Sequence, residues 1–458
     1  MGSVLTIREH LEKYLQSEQI TLNSFAAVSG INSGTLSNIL NKHKPISVGQ
    51  LDRITGGMAL PEGHFYELYI DECFSLADPD WRRLGPFLQR CADLNKIEII
   101  EEVIQLMMDN LGYIPLLFTL AEEFFAAGKS KAAELIYECV AESEKLQHSE
   151  RLALCQYRLF TLRLCNNQRD NLLLAAQFEY FVDRLEECYQ LDALKELINA
   201  FGALKKWDKV LVLADKLKVK STIHYELYRS KKDPSTKKEI VYYIQYAYLS
   251  LGTAHFYLGN YDKALEFVAM YNDDSWVINP NESEIEILQQ FQEWAEGNRY
   301  MYKLRAGQID VLPEYLKYID TREREVFAAL CEIVDVANLY SINIDHILEK
   351  YTHHVELKPI YSKFGQVNKQ FVNDRYVHLL SSLAIYHFND RPDEAFQYLL
   401  HSLKLAIDIG DGKGMLKCIR LFENHRDLAS DEAVERYKIL LNEVSDDEET
   451  ISFARSSV

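Results

Sequence analysis

Apolar residues recur at intervals of three and four nearly everywhere past residue 80, and almost no stretch of the chain alternates with a period of two. Intervals of three and four place apolar side chains on one side of an α-helix, whereas a half-buried strand requires alternation. Proline and glycine are scarce, with 10 and 19 occurrences among 458 residues. The pattern therefore predicts an all-α protein.

Residues 21–47 predict two short helices joined by a tight turn. Gly30 stands between them, where the chain needs a positive φ that glycine adopts without a Cβ clash. Ser24 is the expected N-cap of the first helix, and Asn32 or Ser33 that of the second. We expect the apolar residues of this segment to face inward, namely Phe25, Ala26, Val28, Ile31, Leu36, Ile39 and Leu40.

The second of these helices carries small polar residues on its other side. Short side chains let a helix backbone come close to the base edges in the major groove of DNA. An asparagine can also pair bidentately with adenine. The candidate base-reading residues are Ser33, Thr35, Ser37 and Asn38, and the candidate phosphate contacts are Thr21, Ser24, Lys42, His43 and Lys44. The segment is therefore predicted to bind double-stranded DNA, and a helical hairpin that only packs is the alternative.

The residues on either side of this segment extend it into a helical bundle. The inward positions are Ile7, Leu11 and Leu15 before it, and Leu51, Ile54 and Met58 after a second cap at Ser47. Residues 3–74 resemble the Xre-type helix-turn-helix domain of the Cro repressor class. The resemblance is carried by Phe25-Ala26, Gly30-Ile31, Leu36-Ser37-Asn38-Ile39-Leu40 and Pro45-Ile46-Ser47. It implies a compact helical bundle at the N-terminus.

Charge is distributed unevenly along the chain. The net charge of −19 argues against a protein that coats nucleic acid. Residues 1–58, in contrast, have a balance of +1, so the other 400 residues carry −20. An acidic body repels DNA, so phosphate contacts are expected only through the N-terminal region.

The body of the chain shows internal similarity. Residues 114–140 follow the tetratricopeptide template of large, small and aromatic positions around a turn, and residues 245–271 repeat it. The clearest signature runs from Leu258 to Ala264, and weaker copies begin near Leu191 and Tyr376. The copies are not in strict register. This resemblance implies stacked helical hairpins that form a right-handed superhelix.

Together these patterns divide the chain into four predicted parts. They are a helix-turn-helix DNA-binding domain at 1–75, linker helices at 76–110, a tetratricopeptide-like sensor and dimerisation domain at 111–444, and an acidic flexible tail at 445–458. The basic segment 228–238 is expected to be a solvated connector and not a second phosphate contact.

The sequence offers no spacing typical of catalysis. The glycine-rich run Gly410–Gly414 lacks the gap of a phosphate-binding loop and predicts a turn between helices. The group of His346, His353 and His354 does not follow zinc-ligand spacing. The eight cysteines contain no Cys-x-x-Cys pair and fit small buried side chains in a reducing compartment. We therefore predict a non-enzyme without metal or other cofactor. No leader or membrane-spanning apolar run is evident, so a cytoplasmic location is expected.

A helix-turn-helix region before a tetratricopeptide-like body resembles the peptide-sensing regulators of Gram-positive bacteria and their phages. That group contains the Rgg, PlcR, PrgX, NprR and arbitrium-receptor families. The run Asp78–Arg83, together with the residues near Cys91 and Ile99, looks similar to arbitrium receptors. The resemblance implies quorum sensing by a homodimer. Such a dimer would bind an inverted-repeat operator and hold a short oligopeptide in its concave groove.

The same template indicates which helix positions face that groove. Asparagine, threonine and tyrosine can hydrogen-bond an extended peptide, and aromatic rings can contact its side chains. The candidate peptide-contacting residues are Gln156, Arg158, Asn199, Tyr246, Thr253, Phe256 and His387. For each of them, an ordinary exposed or half-buried helix residue is the alternative.

Two other functions fit the sequence. The body of a DNA-binding regulator could recruit a protein instead of sensing a peptide, which a groove lined by acidic residues would favour. Alternatively, the chain could be a tetratricopeptide protein-interaction scaffold, or a modulator of response regulators, whose N-terminal region has lost DNA binding. The small charge of residues 1–58 allows this second function, whereas the polar run Ser33–Asn38 with Lys42 and Lys44 argues against it.

Overall fold

The computed structural model describes residues 5–41, 44–74, 80–165, 167–228, 236–351, 361–362, 365–366 and 369–455. Within these ranges the chain is helical apart from connecting segments and one two-stranded ladder, so the all-α prediction is confirmed at this level. No helix in these ranges is long and apolar enough to cross a membrane. Contacts divide the chain into two compact units, residues 1–162 and 163–458. This division falls inside the predicted repeat region.

The first unit is built from helices that we number in chain order. They are α1 (Ile7–Ser17), α2 (Leu22–Ser29), α3 (Ser33–Leu40), α4 (Val48–Gly57), α5 (Tyr66–Phe74), α6 (Trp81–Asp93), α7 (Ile97–Met107), α8 (Ile114–Ala126), α9 (Ser130–Ser143) and α10 (Glu150–Arg163). Capping boxes begin α1 at Thr6 and α4 at Ser47, where the cap hydroxyl and the third helical residue exchange hydrogen bonds. Local side chains therefore set these helix starts.

Helices α2 and α3 begin and end close to the cap and turn residues that the sequence predicts. Gly30 follows α2 with a φ of 66°, and the Asn32 side chain accepts a hydrogen bond of 2.8 Å from the Gly34 amide at the start of α3. The predicted N-cap Ser24 is wrong. The cap is Thr21, because α2 starts one residue after it and the Ser24 amide donates to the Thr21 hydroxyl.

Val28 is the one clear error among the predicted inward positions, because 70% of it is exposed. Phe25 and Ser29 lie four residues apart and occupy the buried side of α2, so Val28 points away from it. The other predicted positions are buried or half-buried: Ile7, Leu11, Leu15, Phe25, Ala26, Ile31, Leu36, Ile39, Leu40, Leu51, Ile54 and Met58.

The second unit continues the series of helices. They are α11 (Gln168–Glu179), α12 (Glu187–Ala203), α13 (Trp207–Tyr228), α14 (Ile240–Tyr257), α15 (Tyr261–Asn272), α16 (Glu282–Arg305), α17 (Leu312–Asp320), α18 (Glu323–Tyr340), α19 (Asp345–Tyr351), α20 (Lys369–His387), α21 (Pro392–Asp408), α22 (Gly412–Asn424) and α23 (Asp431–Arg455). Strands β1 (Tyr361–Ser362) and β2 (Gly365–Gln366) pair antiparallel. Neighbouring helices pack in sequence, with α12 on α13, α13 on α14, α14 on α15 and α20 on α21.

The α14–α15 pair shows why such neighbours approach closely. Gly259 lies in the connecting turn with a φ of 78°. A Cβ added at Gly252 would lie 3.2 Å from the Phe267 Cβ and 3.5 Å from the Ala264 carbonyl oxygen. The absence of a side chain at Gly252 therefore lets the backbone of α14 approach α15.

Two further features differ from the sequence expectations. Helix α23 continues to Arg455, so most of the predicted flexible tail, residues 445–458, is helical. Of the eight cysteines, five are buried, Cys139 and Cys188 are half-buried, and Cys165 is exposed. Most of the predicted connector 228–238 lies outside the described residues, as do His353 and His354.

Candidate functional site

The outward side of α3 is formed by small polar residues. Leu36 and Ile39 are buried on its inner side, while Gly34, Asn38 and Asn41 are exposed and Ser37 is half-buried. At 100° per residue, these outward residues share one side of the helix. We call this surface, made of Gly34, Ser37, Asn38 and Asn41, the α3 face.

The other predicted base-reading residues lie at the borders of this surface. Ser33 and Thr35 are half-buried, on either side of the α3 face. Asn41 was not predicted, yet its amide donates a 3.3 Å hydrogen bond to the Ser37 hydroxyl. The helical period places Asn41 four residues after Ser37, so the sequence did contain this signal.

A buried arginine fixes the end of α3. The Arg8 Nε donates a 2.8 Å hydrogen bond to the Ile39 carbonyl oxygen, and its guanidinium forms a bidentate ion pair with Glu72, 2.6 Å from Oε1. Arg8 also donates to the carbonyl oxygen of Lys44 at 3.4 Å. Because both charges are buried, this pair holds α1, α3 and α5 in a fixed arrangement. In the sequence, Arg8 contributes only to the charge balance of residues 1–58.

Basic side chains flank the α3 face. Lys44 is exposed beyond the end of α3, and the exposed Arg53 on α4 lies 3.5 Å from the Gly30 carbonyl oxygen at the turn before it. The nearby acidic Asp52 is engaged, since it accepts hydrogen bonds from Tyr66 at 2.8 Å and Arg90 at 2.9 Å. Lys42 and His43, two predicted phosphate contacts, lie outside the described residues.

Thr21 and Ser24, the remaining predicted phosphate contacts, lie together at the start of α2. Their hydroxyl oxygens are 2.9 Å apart, and both residues are exposed. The first amides of a helix carry partial positive charge and attract anions. A phosphate at this helix start would therefore meet two hydroxyls as well as the amides.

In the second unit, two predicted peptide contacts lie on neighbouring helices and bond to each other. The Tyr246 hydroxyl on α14 donates a 2.6 Å hydrogen bond to the side-chain Oδ1 of Asn199 on α12. Both residues are half-buried, as is Thr253, whose hydroxyl donates to the Leu249 carbonyl oxygen at 2.9 Å. The Asn199 side-chain amide donates a 3.4 Å hydrogen bond to Glu196, so both polar ends of this side chain are engaged.

Arg158 occupies an interior position in the first unit. Its guanidinium makes hydrogen bonds of 2.9 and 2.8 Å to Glu122 and lies 4.5 Å from the centre of the Phe125 ring. Only 6% of Arg158 is exposed, so its donors serve packing between α8 and α10. Gln156 is half-buried on α10. Gln156 and Arg158 thus belong to the first unit, whereas Asn199 and Tyr246 belong to the second.

Phe256 and His387 are buried by aromatic neighbours. Phe256 stacks on Tyr302 with ring centres 4.6 Å apart, and His387 stacks on Tyr398 at 5.7 Å. Burial lowers the pKa of His387, so its neutral form is favoured. Phe256 lines a cavity of about 460 Å³ in the second unit, whereas His387 does not.

This cavity is enclosed by parts of the chain that are distant in sequence. Its walls are the α12–α13 turn, the α14–α15 turn, the end of α16, and α18 with α20. Asp374 on α20 joins them, since it lies 3.0 Å from the Lys205 ammonium group and accepts a 3.3 Å hydrogen bond from Gln168. No sequence motif pointed to this site.

The chain matches no protein-family model, and no curated protein is significantly similar to it in sequence. Among the described residues, no group of three or more histidine, cysteine, aspartate or glutamate side chains could hold a metal ion. Function is therefore inferred from the side chains of this protein alone.

Proposed function

We propose that the protein is a sequence-specific DNA-binding transcriptional regulator that acts as a homodimer. In this proposal, α2, the Gly30 turn and α3 form a helix-turn-helix, and the α3 face enters the major groove. The observation that carries the proposal is the composition of that face. Its side chains are short and polar. Helix α3 contains no charged residue, so charge alone would not determine how it lies on DNA.

The surroundings of α3 support the same proposal. Lys44, Arg53 and the hydroxyls of Thr21 and Ser24 are exposed around it, as backbone phosphates require. Arg8 holds the end of α3 to the bundle, so the helix would enter the groove as a rigid body. An eight-residue helix contacts few base pairs, and useful affinity therefore requires two half-sites and a dimer.

We further propose that the helical body is a tetratricopeptide-like right-handed superhelix that binds a short oligopeptide and thereby modulates DNA binding. The sequential packing of α12 to α15 and the close approach at Gly252 support the repeat architecture. The half-buried Asn199, Tyr246 and Thr253 support peptide contact, because side chains of these types can hydrogen-bond an extended backbone. Cytoplasmic location follows from this proposal, since its operator is chromosomal or phage DNA.

The proposal is tested by selecting binding sites from random double-stranded DNA with the full chain. We expect convergence on an inverted repeat. Asn38→Ala should then reduce discrimination between the selected and scrambled sites by about 1–3 kcal/mol, with a smaller loss in non-specific affinity. Lys44→Ala should weaken binding to every sequence and lower the slope of log affinity against log salt by about 1.

Gln16→Ala removes an exposed amide from α1 and serves as the control for Asn38→Ala. It should leave both quantities unchanged. Equal effects of Asn38→Ala and Lys44→Ala on discrimination and salt slope would contradict the assignment of the α3 face. Failure of the pool to converge would instead favour the interaction scaffold, with the body as its working part.

A further inference from the structure

The cavity of the second unit is lined by charged side chains of both signs, of which the basic ones are the more exposed. Its charged wall consists of three ion pairs, Lys205–Asp374, Arg305–Asp335 and Arg375–Glu332, together with the His378 imidazole, 2.8 Å from Asp335. In these pairs the basic side chains keep 18–44% of their surface exposed, whereas the carboxylates keep only 6–12%. A molecule entering the cavity therefore meets the cations first, with the carboxylates behind them.

The carboxylates are already committed to their partners. Asp335 lies 3.0 Å from Arg305 and 2.8 Å from His378, and it accepts a 2.8 Å hydrogen bond from Ser382. Burial alone would raise the pKa of Asp335, but the His378 hydrogen bond and the nearby charges lower it to about 2. Asp335 thus has little capacity left for a cationic ligand. Lys205, in contrast, contacts Asp374 through one edge of its ammonium group and keeps other donors available.

An aromatic wall faces this charged wall. Trp207 and Tyr257 stack with ring centres 4.3 Å apart and planes 6° from parallel. Tyr257 keeps 39% of its surface exposed, although burial raises the pKa of Tyr257 to about 12. Tyr257 lines the cavity, so its ring is available to a ligand there. Within the described residues, the Tyr257 hydroxyl has no hydrogen-bond partner.

We infer that this cavity binds an organic anion, a carboxylate or phosphate joined to a flat or apolar group. The anionic group lies among Lys205, Arg375 and His378, and the apolar group lies against Tyr257 and Phe256. A volume of about 460 Å³ suits a molecule of small-ligand size, since such sites commonly span about 300–1,000 Å³. In each ion pair the basic side chain is the more exposed member, and this arrangement favours an anion over a cation.

A bound anion would connect two parts of the second unit that are distant in sequence. Lys205 follows α12 and Tyr257 ends α14, whereas Arg375 and His378 belong to α20. The site itself does not depend on DNA binding, so it is tested without DNA. The anion has two sources that share this chemistry, a free small molecule and the C-terminal carboxylate of a short peptide.

The test uses calorimetric titration of the full chain with 3-phenylpropanoate, phenyl phosphate and the peptide N-acetyl-Gly-Gly-Phe. Their neutral partners are 3-phenylpropanamide, phenol and N-acetyl-Gly-Gly-Phe-amide. We expect at least one anion to bind and its neutral partner to bind about tenfold more weakly, the loss expected for a hydrogen bond to a charged group. Binding of the peptide alone assigns the site to peptide C-termini, and binding of the small anions assigns it to free molecules.

Variants locate the binding to this cavity. Lys205→Met should weaken the anion by about tenfold. Lys209→Met removes an exposed lysine four residues later, paired with Glu179 outside the cavity, and should change nothing. If Lys205→Met lowers the melting temperature, the affinity for the anion is measured again in Tyr257→Leu. This variant removes the aromatic ring without removing a charge. Equal binding of anions and neutral partners, equal effects of the two lysine variants, or no binding of any anion at millimolar concentration would each overturn the inference.

Discussion

The α2–α3 pair and the α14–α15 pair are both two helices joined at a glycine with positive φ, yet different forces hold them. Helices α2 and α3 have eight residues each and begin at side-chain caps, Thr21 and Asn32. Helices α14 and α15 have 18 and 12 residues, and neither begins with a side-chain cap hydrogen bond. Short helices therefore depend on end contacts, while the longer ones depend on contacts along their length.

This difference also determines what each pair can offer to a ligand. Helix α3 is held by its ends and by Arg8, which leaves one whole side of it exposed. Helix α14 is packed along most of its length, and its chemistry is confined to the half-buried Tyr246 and Thr253 and to the cavity residues at its end. The same kind of helical hairpin thus leaves one side of a helix exposed in α2–α3 and leaves half-buried groups and cavity-lining residues in α14–α15.

The largest expected effect comes from removing the buried arginine that holds α3. Arg8→Met leaves Glu72 buried without its cation and the Ile39 carbonyl oxygen without its donor, at a cost of about 3–5 kcal/mol. Hydrogen exchange of α3 amides should therefore accelerate while that of α14 stays unchanged. Arg53→Met is the control, because Arg53 is exposed, and it should change stability by less than about 0.5 kcal/mol. Similar exchange rates in both variants would show that end contacts do not hold α3.

A smaller effect is expected from two adjacent glycines in α4. A Cβ at Gly57 would lie 2.9 Å from the Phe25 ring and 3.0 Å from the Ser29 Cβ, so Gly57→Ala should cost about 1–3 kcal/mol. A Cβ at Gly56 meets nothing within 4 Å, so Gly56→Ala should stabilise α4 by about 0.5–1 kcal/mol. Urea unfolding of the two variants measures both signs. A loss of stability in Gly56→Ala would show that α4 packs differently.

The smallest expected effects come from replacing the glycine in each of the two turns. Gly30 and Gly259 have φ values of 66° and 78°, and a Cβ at either meets nothing within 4 Å. Gly30→Ala and Gly259→Ala should therefore each cost about 1 kcal/mol, from backbone conformation alone. Thermal unfolding measures the two losses. Unequal losses would mean that one turn is also held by contacts of its neighbours.

The sequence predicted α3 well because local signals define it. Its caps, the Gly30 turn and the period of Leu36 and Ile39 all lie within one short segment. The error at Val28 shows the limit of such reasoning, since in an eight-residue helix several apolar phases fit nearly equally well. Which one faces inward is decided by α4, where Gly57 leaves room for Phe25.

The cavity could not be predicted because it depends on distant pairs. Lys205 reads in the sequence as a surface charge near a turn, and nothing local connects it to Asp374. Arg158 shows the same limit in the first unit, where its partner Glu122 lies 36 residues earlier. Periodicity indicates which side of a helix is buried, but it does not indicate which helix covers it.

The contacts of Asp374 with Gln168 and Lys205 also determine when this region can form during synthesis. The hydrogen bond to Gln168 spans 206 residues, far more than the step between neighbouring hairpins. Helices α12 to α15 can pair as they leave the ribosome, because their partners are close in sequence. The cavity has no far wall until α20 has been translated. Until α20 has been made, the earlier helix pairs can be present without the cavity. A product that stops before α20 would therefore retain helices but lack the site.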